Sequence, residues 1–291
     1  MTGVNGADAG GDTLNVTEVN TSTSLTLTDA DQMAITVGYA DATGTADEAT
    51  VTIAGAANDI GDDDEGTLTI AGIEVLNLNF TTDSAQLDTI TLADAETVNL
   101  TTSEGADFTL SEDVASDLAE VTALNLVAGD DITLEGVLPL ANDAVITASG
   151  SGDVDLNTLD DNGAGEGVTL NAADLTGGLT VTGGANTVSI TSGAGDDTIT
   201  AGSDETAITT GAGDDIVDTN SLDFGADADS AAINAGDGTD TLIHDDGAEI
   251  DADFVANLSG FEVLDVTGGT GTYDLSVLTG IESVKLKDDI A

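Results

Sequence analysis

The sequence predicts an all-β fold, a parallel β-solenoid, and three observations carry that prediction. Val, Ile, Leu and Thr alternate with polar residues, while Lys and Arg together number 2 and aromatic residues make up 2% of the 291 positions. That composition favours strands and a thin aliphatic core over helices or a globule built around large rings. Short apolar strands return at intervals that fit one rung of a solenoid. Further along the chain, apolar residues keep a strict nine-residue register.

In chain order, the first signals are period-two alternations, the mark of half-buried strands. They are Leu25-Thr26-Leu27-Thr28, Thr50-Val51-Thr52-Ile53 and Thr67-Leu68-Thr69-Ile70. A phrase with an acidic lead-in follows at Ile73–Leu78, Ala95–Leu100 and Val121–Leu126, centred on Asn77, Asn99 and Asn125. The same phrase returns at Phe261–Val266 and Ile281–Leu286, centred on Asp265 and Lys285. One helix is expected over Ser111–Leu118, where Ser111 caps and Glu112 and Asp113 suit the first turn. Pro139, the single proline, reads as a turn or edge position.

The tight repeat begins at Val181 and continues through Ile190, Ile199, Ile208 and Val217, each nine positions on, with Gly184, Gly193, Gly202 and Gly211 in step. Ser221 to Asp229 reads as an insertion, after which Ile233 and Leu242 resume the spacing. The expected organisation is a β-rich solenoid-like region over 1–147, a β-roll over 148–218, an inserted loop over 219–232, and a last repeat with C-terminal strands over 233–291.

Charge narrows the function. There are 57 acidic residues and a net charge of −55, more than internal ion pairs can balance, and neighbouring carboxylates lie within the screening distance of about 8 Å. Such a chain resists compaction unless counter-ions arrive. Nucleic acid is excluded as a partner because no basic surface exists to meet phosphates. Membrane insertion is not expected, since no stretch is long and apolar enough to span a bilayer. Divalent cations are the expected partners, with an acidic coat for solubility or high salt as the alternative. Cys is absent, so metal is the expected staple in place of disulfides. Residues 1–6 lack the positive and apolar regions of a Sec-type leader, which implies either a module or export by a route that reads another part of the chain.

Three segments combine glycine and aspartate at fixed spacing: Ser192–Thr200, Thr210–Asp218 and Ala235–Ile243. They resemble RTX nonapeptides, G-G-x-G-x-D-x-U-x, with Ser192, Thr210 and Ala235 in place of the first glycine. The chemistry suits the spacing. Calcium takes six to eight oxygens, carboxylate and carbonyl mixed, glycines let the chain turn and aim carbonyls inward, and the apolar eighth residue anchors a strand. The resemblance implies a β-roll in which loops eighteen residues apart share a calcium ion (Ca2+). The candidate metal residues are therefore Gly193, Gly195, Asp196, Asp197, Gly211, Gly213, Asp214 and Asp215, with Gly236, Gly238 and Asp240 as a further site after the insertion. The loops 183–188 and 201–206 on the opposite edge carry Val188 and Thr206 at the sixth position. A roll with metal on one edge is expected. The acidic runs Asp62–Glu65, Gly129–Asp131 and Asp227–Asp229 are weaker candidates for calcium at a strand end and read in preference as solvated loops.

Catalysis is not expected. His244, the only histidine, has no nucleophile near it in sequence and reads as an exposed polar residue past a strand. There is no G-x-S-x-G elbow or phosphate loop, and no Arg. A carboxylate pair acting on polysaccharide is the one enzymatic alternative, weakened by the scatter of the Phe and Tyr residues.

With their Thr-, Ala- and Asn-rich strands, the repeats look most like the calcium-dependent surface-layer (S-layer) proteins that Gram-negative bacteria export by type I secretion. That resemblance implies an extracellular, cell-surface, structural role in which calcium orders each subunit and copies self-associate into a lattice, with cell-surface polysaccharide a further partner. A module of a large RTX adhesin, or the non-catalytic calcium-binding module of a secreted hydrolase, are the alternatives. An ice-binding solenoid is more distant, because the Thr-x-Thr pairs form no regular ladder in the sequence.

Overall fold

The computed structural model describes residues 12–28, 33–54, 67–81, 85–110, 118–161, 167–203, 206–219, 222, 231–244, 250, 252–268, 275–277 and 279–286. The chain is a parallel β-solenoid of about ten turns. Sheet 1 has eleven strands and runs from Leu25–Leu27 to Leu258–Ser259. Sheet 2, also eleven-stranded, runs from Ala85–Leu87 to Ser283–Lys285. Sheet 3 has four strands, Asp12–Val19, Met33–Tyr39, Thr67–Ala71 and Thr89–Leu92. The only α-helix among the described residues is Ala252–Ala256. None is long and apolar enough to cross a membrane.

Each turn stacks its strand directly on the last, so residues of one register form straight columns. In sheet 1 the inward column runs Leu76, Val98, Leu124, Ile146, Leu170, Ile190, Ile208 and Ile233, all buried. β-Branched and leucine side chains recur because a parallel strand places a like residue above a like residue every turn. Phe80, Phe108, Phe254 and Phe261 are buried, and Phe80 and Phe108 stack with ring centroids 4.1 Å apart.

The loose and tight repeats are two coil lengths of one architecture. Asn77, Asn99 and Asn125 are successive positions in one outward column, 22 and 26 residues apart, and these earlier turns also feed the third sheet or the extra strand Val137–Leu140. From Ser189 to Asp218, strands alternate between sheets 1 and 2 and a turn takes 18 residues; after the insertion the next turns take 25 and 22. Each acidic-led strand starts two residues into its phrase, at Val75, Thr97 and Ala123, because Ile73, Ala95 and Val121 turn inward and fill the corner. The late phrases differ in placement. Val263–Asp265 and Ser283–Lys285 belong to sheet 2, so Asp265 and Lys285 do not continue the asparagine column; they form an ion pair of 3.5 Å.

Pro139 sits inside Val137–Leu140, which pairs only with the strand Val154–Asp161; an edge position suits a residue without an N–H. The expected helix over 111–118 lies outside the described residues except for Leu118, which is buried. Most of the inserted loop, and the acidic runs 62–65 and 227–229, also lie outside them.

Candidate functional site

The turns 192–197, 210–215 and 235–240 stack on one edge of the roll. The strands that follow them position them: in sheet 2, Thr198 lies opposite Ile216 and Ile216 opposite Thr241. That register sets Asp197, Asp215 and Asp240 in one column. The N–H of Asp197 donates to Oδ1 of Asp215 at 2.8 Å, and the N–H of Asp215 donates to Oδ1 of Asp240 at 2.9 Å. Leu179 caps one end, its N–H donating to Oδ1 of Asp197 at 2.7 Å. At the other end the N–H of Asp240 donates to Oε2 of Glu262 at 3.0 Å.

All three aspartates are buried, at 1%, 0% and 0% exposure. In each, Oδ1 serves the ladder while Oδ2 is buried with no hydrogen-bond partner. Protein interiors do not ordinarily leave anionic oxygens in this condition, because an uncompensated buried charge costs several kcal/mol. Loss of hydration pushes the Asp197 carboxyl up to about 6, with the charges of Asp215 and Asp196 adding to the rise. Loss of hydration likewise raises Asp240 to about 6, with Asp215, Glu262 and Asp214 contributing. Carboxylates stacked one per turn offer oxygen donors of the kind a hard divalent cation takes, while three acidic oxygens come within 4.8 Å of one another, among the described residues, only at Asp107, Asp130 and Asp131.

Gly193, Gly195, Gly211, Gly213, Gly236 and Gly238 form two further columns beside the aspartates. A Cβ at Gly213 would lie 2.3 Å from the Gly195 carbonyl oxygen, at φ +140°, and one at Gly238 would lie 1.7 Å from that of Gly213. Only glycine lets the turns approach this closely. The carbonyls of Gly193 and Gly211 accept the N–H groups of Ala212 and Asp237, which ties the turns together. Where the nonapeptide pattern has its first glycine, Ser192 and Thr210 are buried and serve the ladder instead. The Ser192 hydroxyl donates to the Thr210 carbonyl at 2.7 Å, and the Thr210 hydroxyl to the Ala235 carbonyl at 2.5 Å. The departure from glycine thus adds an interturn bond rather than disturbing the turn.

Asp196 and Asp214 lie one position earlier and are exposed. Each accepts an N–H from the next turn, from Asp214 at 2.8 Å and Thr239 at 2.9 Å. The same device occurs upstream, where Asp131 and Asp153 accept from Asp153 and Gly178. Asp107, Asp130 and Asp131 each bring one oxygen within 4.8 Å of the others. The Gly105 and Asp153 N–H groups already bond to Asp130 and Asp131. The buried column itself begins at Asp197: Val154 and Leu179 hold its register position in the two turns before. On the opposite edge, Val188 and Thr206 are in register, Val188 exposed and Thr206 buried.

Two readings of the sequence need correction or extension. His244 is fully buried, not exposed. Its Nδ1 lies 2.8 Å from the Thr219 hydroxyl, and its ring packs on Phe254 at 4.6 Å, so it belongs to the interior of the last turns. Glu262 was not apparent as a member of the aspartate column. The available signal was its place just before the apolar strand Val263–Asp265, as Asp240 stands before Thr241–Ile243.

No family model matches the chain, and no curated protein and no solved structure matches it.

Proposed function

We propose that this is a non-catalytic structural protein of the bacterial cell surface, one that binds calcium along the Asp197–Asp215–Asp240 column and assembles into a surface layer when calcium is bound. The observation that carries the cation is the set of three buried carboxylates, each with one oxygen that nothing in the protein satisfies. Oxygen-only donors, repeated at one edge, favour calcium over metals that prefer nitrogen or sulfur. Asp197, Asp215 and Asp240 would hold the ions, with Glu262 closing the end of the column. Calcium supplies the positive charge that the chain lacks, and its binding free energy adds to folding free energy. The surface layer rests on the resemblance of the repeats and on the long eleven-stranded sheets that such a lattice can use.

Circular dichroism in millimolar calcium, followed by excess chelator, tests the cation. Gain and then loss of β signal and of thermal stability is expected. An identical spectrum and melting temperature in both conditions would sink the reading. Electron microscopy of the calcium-loaded protein tests the assembly: two-dimensional sheets are expected, whereas isolated rods would point to an adhesin module.

A further inference from the structure

A chain with a net charge of −55 can meet a copy of itself only where its own charge is absent, and sheet 1 presents such a place. Its central outward column reads Thr50, Asn77, Asn99, Asn125, Thr147, Asn171, Thr191, Thr209, Asn234 and Ser259. No member is charged. On one side of it lie Val75, Thr97, Ala123, Val145, Thr169, Ser189 and Ala207, and on the other Asn79, Thr101, Val127 and Ser149. Among the described residues charge lies at the margins, at Glu48 and Asp174 along the register and at Glu74, Glu96, Glu120 and Asp143 before the strands. Sheet 2 differs: its outward positions include Asp155, Asp218 and Asp265. The outward column of sheet 3, Asn15, Thr36, Thr69 and Thr91, is uncharged but only four strands long.

We propose that this face of sheet 1, between Val75 and Thr209, is where a second copy of the chain docks, sheet against sheet. The proposal deepens the assembly reading above by naming its surface; it rests on the fold and charge, not on the cation. Three features favour a copy as the occupant. Among the outward faces of the three described sheets this one carries the longest uncharged column, so the same patch on a partner is the least repulsive match. Its polar groups are largely satisfied within one copy. Asn99 Nδ2 donates to Asn77 Oδ1 at 2.7 Å, Asn125 Nδ2 to Asn99 Oδ1 at 2.7 Å, and the Thr147 hydroxyl to Asn125 Oδ1 at 2.7 Å. Covering them therefore strands few donors or acceptors. Val127 and Val145 stand 44% and 43% exposed at its middle, where burial is favourable. At a strand spacing of about 4.8 Å and about 3.3 Å per residue, the face, five residues wide on four strands and three wide on the other three, measures about 450 Å² per copy. Two such faces together come to about 900 Å², in the range of weak contacts just under the roughly 1,000 Å² of a stable specific one. A single contact is then weak, a property that suits a repeated array, and salt or calcium should strengthen it by screening the acidic rim.

The experiment compares sedimentation velocity of the full chain, across concentration and in calcium, for wild type, V127E/V145E and V137E/T109E. The last pair adds the same two charges elsewhere, Val137 being exposed on its edge strand and Thr109 outward on sheet 2. Circular dichroism confirms that each variant keeps the wild-type spectrum. Wild type and V137E/T109E should associate alike, and V127E/V145E should dissociate with a constant at least tenfold higher. As a second measurement, the absence of cysteine allows one dye at V127C or V137C. Its emission should shift to the blue with rising concentration at position 127 only. Equal association of V127E/V145E and wild type, or no dye shift at 127 in a protein that does associate, overturns the surface while leaving assembly intact. A wild type that stays monomeric throughout overturns both. If that monomer is retarded by a neutral polysaccharide gel and V127E/V145E is not, the face belongs to a glycan instead.

Discussion

Asp215 sits between two like charges, and its position separates what the fold loses from what a cation gains. Replacing it with asparagine removes a buried charge that the cation-free fold leaves uncompensated, while keeping an oxygen for the Asp197 N–H. D215N should therefore melt higher than wild type in chelator and lower than wild type in calcium, with calcium affinity reduced at least tenfold by calorimetry. A second expectation follows from Asp197 and Asp240, both raised to about 6. Folded, they keep protons that the unfolded chain releases near pH 4. Cation-free stability is then full below about pH 4, falls as pH rises through about 6, and stays low above it, by about 2–3 kcal/mol per carboxylate. With saturating calcium the trend over that window reverses, since only the ionised column binds metal. Thermal melts of wild type and D197N/D240N from pH 4 to 7, with chelator and with calcium, check both slopes; the variant should lose the difference. Asp197 and Asp215 were legible in the sequence because they stand eighteen residues apart in a glycine-rich repeat. Glu262 was not, since the insertion and a longer turn break the spacing. His244 was misread because its burial depends on Phe254, from a helix that no repeat announces.

Turns and strands show the same division between local signal and stacking. The nine-residue register placed Val181, Ile190, Ile199, Ile208 and Val217 correctly in the core, because each is an inward residue of a three- or four-residue strand and, from Ile190 on, the single one. The asparagine phrases announced a rung, yet the sequence did not distinguish the sheet to which each copy belongs. Val263–Asp265 and Val75–Phe80 share a phrase but lie in different sheets, since sheet membership depends on how many strands each turn contains. The role of Ser192 and Thr210 was also hidden, because their bonds go to the next turn. Glycine columns are where an element is least tolerant. G213A adds a methyl group 2.3 Å from a carbonyl oxygen, at a φ that L-residues avoid. It should lower stability by about 2 kcal/mol or more, read as a drop in melting temperature in calcium, and should weaken calcium binding by displacing the turn that carries Asp215.

At the scale of the whole molecule, each turn touches mainly its neighbours, so stability is a sum of local terms and one end can loosen without the other. The earlier turns have longer strands, an aromatic stack and, among the described residues, no buried acid column. The turns from Ser189 on have short strands and hold Asp197, Asp215 and Asp240. Such a molecule should respond to cation removal from its C-terminal half. Amide hydrogen exchange read by mass spectrometry, with calcium and with excess chelator, observes this turn by turn. Residues 192–218 and 233–243 should exchange at least tenfold faster in chelator, while 75–80, 97–102 and 123–128 keep their protection. Equal protection of the aspartate turns with and without calcium would contradict the claim that a cation completes this column.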